Sequence, residues 1–179
     1  MFYQTLKEKH HNIHQDFYDT VRDLAKHPVV RQMRHFPQHG DTNCYRHCLN
    51  VAFYNYLLCR LLHLDARSAA RAAMLHDLFL YDWHTHAAQT GERFHGLTHP
   101  RTAYENARKH FHLNPTEKDV ILTHMWPVTP LAIPHTPEGW ITTLSDKYCS
   151  ACETGHRRKR HSAHDTLRSH HNRKESHRS

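Results

Sequence analysis

Apolar residues recur along most of this chain with the period of an α-helix. In the first segment, residues such as Phe17, Val21 and Leu24 lie close to helical spacing, which predicts a helix that ends at His27, before a proline. No segment of convincing length shows the two-residue period of a β-strand. We therefore expect an all-α bundle of about seven helices.

Capping residues mark where several of these helices begin. Asp41 or Thr42 is a candidate N-cap for a helix through CYRHCLNVAFYNYLLCRLLHL, and Asp65 is the candidate cap of the alanine-rich ARSAARAAMLHDLFL. Asn114 to Glu117 has the pattern of a capping box with proline at the first helical position. These signals place the helices that carry the polar residues described below.

The remaining segments are less regular. A short element is expected at residues 30–36, and residues 81–98 have no sustained period, which predicts a long loop or lid. Pro100 suits the first turn of the next helix. Four prolines make residues 127–137 an irregular connection, and a final helix is expected over EGWITTLSDKYCSACE.

The stretch AAMLHDLFLYDW places His76 and Asp77 inside an apolar run. A buried carboxylate is costly unless it is compensated. A hydrogen-bonded histidine–aspartate pair would compensate it, and so would a metal ion, whose positive charge acts strongly in a low-dielectric interior.

Further polar residues interrupt apolar helix faces at regular intervals. They are His47, His124 and Asp146, together with His99, which immediately precedes the predicted start of a helix. The steps are 29 residues to His76, 22 from Asp77 to the next histidine, then 25 and 22. Each step is about one helix plus a connection, so facing helices would bring the side chains to a common interior. Imidazoles and carboxylates suit iron, manganese, zinc or nickel.

Purely structural roles are available for some of these residues. His124 could interact with the carbonyl groups at the end of its helix. His99 could be a surface residue before a proline, and three other histidines lie in the same predicted loop: His84, His86 and His95. Cys149 and Cys152 form a CxxC pair without a second pair to complete a zinc site.

The ordered set H…HD…D, with histidines in GLTHPRTAYENARKHF and KDVILTHMWP, resembles the HD-domain metal-dependent phosphohydrolase superfamily, in particular its dinuclear members. The resemblance covers about residues 41–153 and implies two divalent transition-metal ions, with iron or manganese preferred and zinc or nickel as alternatives. Asp77 would bridge the ions, while His47, His76 and Asp146 complete one and His99 and His124 the other.

The resemblance also implies a reaction. A metal-bridging hydroxide would cleave a phosphate ester or anhydride in a nucleotide or dinucleoside polyphosphate-like substrate. The glycine–lysine pair common after the HD dipeptide is replaced here by LFLYDW. The candidates for contacting phosphate are therefore Lys147, Arg93, Arg101 and Arg46.

Three other functions are compatible with this sequence. Dinuclear-iron oxygenases of the HD type activate dioxygen with a similar ligand set. A metal- or nucleotide-sensing module would keep the site without turnover. A histidine-rich storage protein would draw on the 23 histidines of the chain, six of which lie at residues 156–179.

Charge is concentrated at the C-terminus. Of the net charge of +7, +6 lies in residues 156–179. We expect a helical domain at residues 1–153, with its core at 41–153, and a basic tail at 154–179. The tail is expected to be disordered, and polyanions are a weak candidate for its partners.

The sequence also bears on location. No stretch is long and apolar enough for a membrane span or signal peptide, and the odd cysteine count fits reduced thiols. A cytoplasmic location follows, whereas homodimer formation is left open.

Overall fold

The computed structural model describes residues 2–91 and 94–155, with side chains from Asn12 onward except that of Gln89. Its helices are α1 (Phe2–Lys26), α2 (Pro28–Arg31), α3 (Cys44–Leu61), α4 (Ala66–Leu75), α5 (Trp83–Thr90), α6 (His95–Arg108), α7 (Pro115–Thr123) and α8 (137–155), and a 3₁₀ helix spans Gln32–His35. No strand occurs in the described ranges. The predicted all-α fold is confirmed.

Helix α4 lies at the centre of the bundle. It packs against α3, α7, α1 and α6. Four of its alanines, at positions 69, 70, 72 and 73, are fully buried, because small side chains let several helices approach one axis. The helix ends at Leu75, so the two residues that follow it, His76 and Asp77, enter the interior of the protein.

The predicted caps are largely confirmed. The side chain of Asp65 accepts a hydrogen bond from the Ser68 amide at the start of α4. At the start of α7, Asn114 and Glu117 form the reciprocal capping box. For α3 the prediction was wrong by one or two residues, because the cap is Asn43, whose side chain accepts from the amide of Arg46.

The prediction of a long loop at residues 81–98 was wrong. The Asp82 side chain caps the short helix α5, which ends at Gly91 with a φ of +81°, a conformation that favours glycine. Helix α6 begins at His95, so Pro100 lies inside it rather than in its first turn. Local capping thus produces helix where no apolar period was visible.

Two predictions fall outside the described residues. Arg93 belongs to the gap at 92–93, and nearly all of the predicted tail lies at 156–179. Within the described chain, no helix is long and apolar enough to cross a bilayer.

Candidate metal centre

The six predicted ligands meet at the end of α4. Their side chains are almost fully buried: His47, His76, Asp77, His99, His124 and Asp146. They come from α3, the end of α4, α6, the end of α7, and α8. His99 lies within α6, not before a helix as the sequence suggested. The helix-length spacing therefore brings every one of these side chains to one place.

One group of donor atoms, the first donor set, consists of His47, His76, Asp146 and the Oδ2 atom of Asp77. The Nε2 of His47 lies 3.0 Å from Asp146 Oδ1. The Nε2 of His76 lies 3.4 Å from Asp77 Oδ2 and 3.7 Å from Asp146 Oδ1. The donor atoms of His47, His76 and Asp146 are close enough together for one ion to bind them, and those of His76, Asp77 and His124 form another such group.

The other carboxylate oxygen of Asp77 faces a second donor set, formed with His99 and His124. Oδ1 lies 3.1 Å from the Nε2 of His99 and 3.6 Å from that of His124. The two Nε2 atoms are 2.9 Å apart. Asp77 therefore presents one oxygen to each set.

All four histidines are oriented through their other ring nitrogen. The Nδ1 atoms of His76, His99 and His124 lie 2.7, 2.9 and 2.9 Å from the main-chain oxygens of Ala73, His95 and Ile121, respectively. A carbonyl oxygen only accepts, so each Nδ1 carries a hydrogen. When the rings are neutral, their Nε2 lone pairs point to the centre, as metal ligation requires.

The fourth histidine uses a carboxylate that the sequence analysis did not find. The Nδ1 of His47 lies 3.0 Å from Glu153 Oε2, and Glu153 Oε1 accepts a hydrogen bond from Asn50. Glu153 lies seven residues after Asp146, two turns along α8 and on the same face. This spacing was the available signal.

Buried charges perturb the titration of the centre. Burial raises the pKa of Asp77 and Asp146, but the surrounding histidines outweigh it and hold both pKa values well below the ordinary range. Burial likewise lowers the pKa of His47 and His76, yet the neighbouring carboxylates raise both values well above the ordinary one. Without an ion, protons on these imidazoles compensate the carboxylates.

The chemistry of the donor set fits divalent metal ions. Four imidazoles and two carboxylates are typical ligands of borderline transition metals. The Nε2 of His76 is buried and has no hydrogen-bond partner among the described residues. A buried polar atom of this kind is costly, and coordination to an ion would satisfy it.

Two cysteines lie behind the centre. The Sγ of Cys44 donates to the main-chain oxygen of Asp77 at 3.2 Å, and Cys48 is also fully buried. Burial raises the pKa of both thiols, so they are protonated at neutral pH. With Asp77 they form a further group of side chains close enough together to hold an ion, but the Sγ of Cys44 is directed at a main-chain oxygen, and we interpret both cysteines as packing residues.

A cavity of about 430 Å³ opens onto the centre. Asp77, His99, His124 and Asp146 lie on its lining together with Gln38, His39, Trp83, Ala87, His95, Gly96 and Met125. The rings of Trp83 and His95 are nearly parallel, with an interplanar angle of 10°. Burial lowers the pKa of His95 to about 4, so this ring is neutral at neutral pH.

The predicted phosphate contacts are placed differently. Lys147 donates from Nζ to the main-chain oxygen of His124 at 3.3 Å and is not part of the cavity lining. Arg46 is exposed, and Arg101 forms a surface ion pair with Glu105. Arg93 lies outside the described residues. Direct contact of Lys147 or Arg93 with a substrate stays a prediction.

Comparison with known proteins identifies the family. The family model described as HD domain matches residues 44–177, more than half of the chain. No significant match was found among curated proteins or among solved structures. HD domains bind divalent metal ions, and most members of the family are metal-dependent phosphohydrolases. The chain belongs to the HD domain family.

Proposed function

We propose that this protein is a phosphohydrolase that uses two divalent transition-metal ions, with iron or manganese preferred. Its substrate is a phosphorylated small molecule, a nucleotide or a dinucleoside polyphosphate-like compound, and the bond cleaved is a phosphate ester or anhydride. The proposal deepens the family assignment, which covers metal-dependent hydrolysis in general.

One observation carries the proposal: the two oxygens of Asp77 face different imidazole nitrogens. Oδ2 faces His76, and Oδ1 faces His99 and His124. A single ion would not need both sets. Two ions bridged by one carboxylate would use every donor atom and balance the buried negative charge.

Two ions held in this way would supply an activated water and neutralise charge on a phosphoryl group. The chain's own contribution is to fix the ligands and shape the cavity. Each imidazole is held through Nδ1, so its orientation is set before ligands bind. Preorganisation of this kind lowers the cost of reorganisation during reaction.

The cavity supports a planar leaving group. Trp83 and the neutral ring of His95 form an aromatic wall beside the centre. Flat rings favour stacking with a nucleobase or a similar group. Arg93 and Lys147 are the proposed contacts of the phosphoryl group, and Asp77 is the proposed bridging ligand.

The test is hydrolysis by the manganese-loaded full chain without oxygen, followed by p-nitrophenol release for the chromogenic esters and by chromatography of the products for the nucleotides. The panel contains p-nitrophenyl phosphate, bis(p-nitrophenyl) phosphate, nucleoside mono- and triphosphates, and dinucleoside polyphosphates. We expect hydrolysis of at least one compound by the unmodified chain and none by Asp77→Ala. Failure to hydrolyse any of them, or turnover that requires oxygen, would contradict the proposal.

A further inference from the structure

Gln38 reaches the metal centre from a part of the chain outside the six ligands. It lies in the turn between the 3₁₀ helix and α3, and only 8% of it is exposed. Its main-chain amide donates to the oxygen of Thr42 at 2.9 Å, and a bridge between Pro37 and Asn43 closes the turn. The backbone therefore holds this side chain at the rim of the cavity.

The side-chain amide of Gln38 contacts one particular atom of the centre. Its Nε2 donates to Asp77 Oδ2 at 2.5 Å. This is the oxygen that faces His76 and His47, at 3.4 and 3.9 Å from their Nε2 atoms. The hydrogen bond keeps Oδ2 directed at the first donor set, which leaves Oδ1 for the second.

The other end of the same amide is unused. Gln38 Oε1 is buried and has no hydrogen-bond partner among the described residues. A buried carbonyl oxygen without a donor is costly, and the natural donor in a cavity of this kind is water. Gln38 thus has one hydrogen bond to a ligand and one acceptor available to solvent at the centre.

We propose that Gln38 is a positioning residue of the metal centre, which orients Asp77 through Nε2 and the attacking water through Oε1. The proposal rests on the proposed function for the identity of that water. The orientation of Asp77 by Gln38 affects ion binding directly, so its effect can be measured without a substrate.

The first test compares Gln38→Met with Gln32→Met. Both changes remove an amide at nearly constant length, but Gln32 is exposed on the 3₁₀ helix. In titrations of the metal-free chain with manganese, we expect Gln38→Met to weaken ion binding roughly 10- to 100-fold. At saturating manganese, kcat should also fall without a comparable change in KM. Gln32→Met should match the unmodified chain in both respects.

A second test does not depend on a variant that folds. In the ¹⁵N-labelled full chain with assigned side chains, titration with zinc should shift the side-chain amide resonances of Gln38 and leave those of Gln32 unchanged. Unshifted Gln38 resonances while the imidazole resonances of His76 and His99 do shift with zinc would overturn the proposal. So would a Gln38→Met chain that loses only thermal stability and keeps its ion affinity and kcat, because Gln38 would then merely anchor the turn.

The two proposals fail in different ways. A chain that binds ions tightly, loses that affinity in Gln38→Met and hydrolyses nothing contradicts the proposed function while supporting the orientation of Asp77 by Gln38. A chain that hydrolyses a phosphate ester equally well with and without the Gln38 amide, at equal ion affinity, overturns the inference and leaves the proposed function intact.

Discussion

At the scale of single residues, the hydrogen bond that each imidazole makes through Nδ1 fixes the orientation of the Nε2 that would bind an ion. His47 differs from the other three because its Nδ1 meets a carboxylate rather than a main-chain oxygen. A carboxylate partner makes a ligating imidazole more basic and fixes its orientation. Glu153 should therefore contribute to ion affinity although it touches no ion itself.

Replacing Glu153 with alanine tests this role. We expect ion affinity to fall roughly 10- to 100-fold, because His47 loses the partner that orients it. Isothermal titration of the metal-free chain with manganese measures the change. Glu105→Ala is the matched control, since this carboxylate lies in surface ion pairs with Arg101 and Arg108. Equal affinity in the two variants would show that Glu153 has no such role.

A second prediction at this scale concerns the choice among neighbouring histidines. His99 lies 3.1 Å from Asp77 Oδ1, whereas His95 stacks on its ring one turn earlier in α6. We expect His99→Ala to hold one ion per chain fewer than the unmodified protein, because the second donor set loses a ligand. Metal analysis should find the same number of ions in His95→Ala as in the unmodified protein, and an equal number in His99→Ala would refute the assignment.

At the scale of elements, the centre depends on how α4 is held. The helix carries His76 and Asp77 just past its last turn, and α7 packs against it. Asn114, the cap of α7, also donates from Nδ2 to the side-chain oxygen of Ser68 in α4. This residue therefore joins helix capping to the packing of two helices that carry ligands.

We expect Asn114→Ala to destabilise the fold by about 1 kcal/mol, the usual loss for an N-cap. For a chain of this size the melting temperature should fall by roughly 2 to 4 °C. Thermal unfolding followed by circular dichroism gives the value. The same change at exposed Asn12 should have little effect, and equal melting temperatures for the two variants would contradict the capping role.

Local signals in the sequence predicted the elements unevenly. The capping box at Asn114 and the cap at Asp65 could be read because their residues lie within four positions of one another. Helix α5 was missed because its sequence WHTHAAQT has few apolar residues, and its limits are set by Asp82 and Gly91. Apolar period alone does not find a short helix that lies over a cavity.

The site was predictable where one residue interrupts an apolar helix face. That rule found His47, His76, His124 and Asp146, whose burial it explains. It could not find Gln38, which lies in a turn, where no periodic face exists for a polar residue to interrupt. Contacts made through turns depend on the tertiary fold, and sequence spacing does not encode them directly.

At the scale of the whole molecule, the buried histidines link stability to pH. The pKa values of His47 and His76 are raised above the ordinary 6.5 in the folded chain. Their contribution is fully present below about pH 6.5 and is lost as pH rises through the raised values. The metal-free chain should therefore lose stability in alkaline solution.

Other histidines give stability the opposite dependence on pH. Burial lowers the pKa of His39, His95 and His124 below 6.5, so the folded state favours their neutral forms. Their contribution is present above about pH 6.5 and is lost as pH falls. The melting temperature of the metal-free chain should thus be highest near pH 6.5.

Bound ions should change the pH dependence of the melting temperature only above about pH 6.5. They replace the protons on the Nε2 atoms of His47 and His76, so ion binding releases protons and strengthens as pH rises. Melting curves with and without manganese should diverge increasingly above pH 6.5. Parallel curves across the alkaline range would show that these imidazoles do not bind the ion.

The most direct test of the account is the number of transition-metal ions per chain in the unmodified protein compared with Asp77→Ala. The comparison uses the full chain, so ions held by the histidines at residues 156–179 contribute equally to both measurements and cancel. A dinuclear centre bridged by Asp77 predicts that the variant holds two ions fewer. Equal metal content in the two proteins would contradict it.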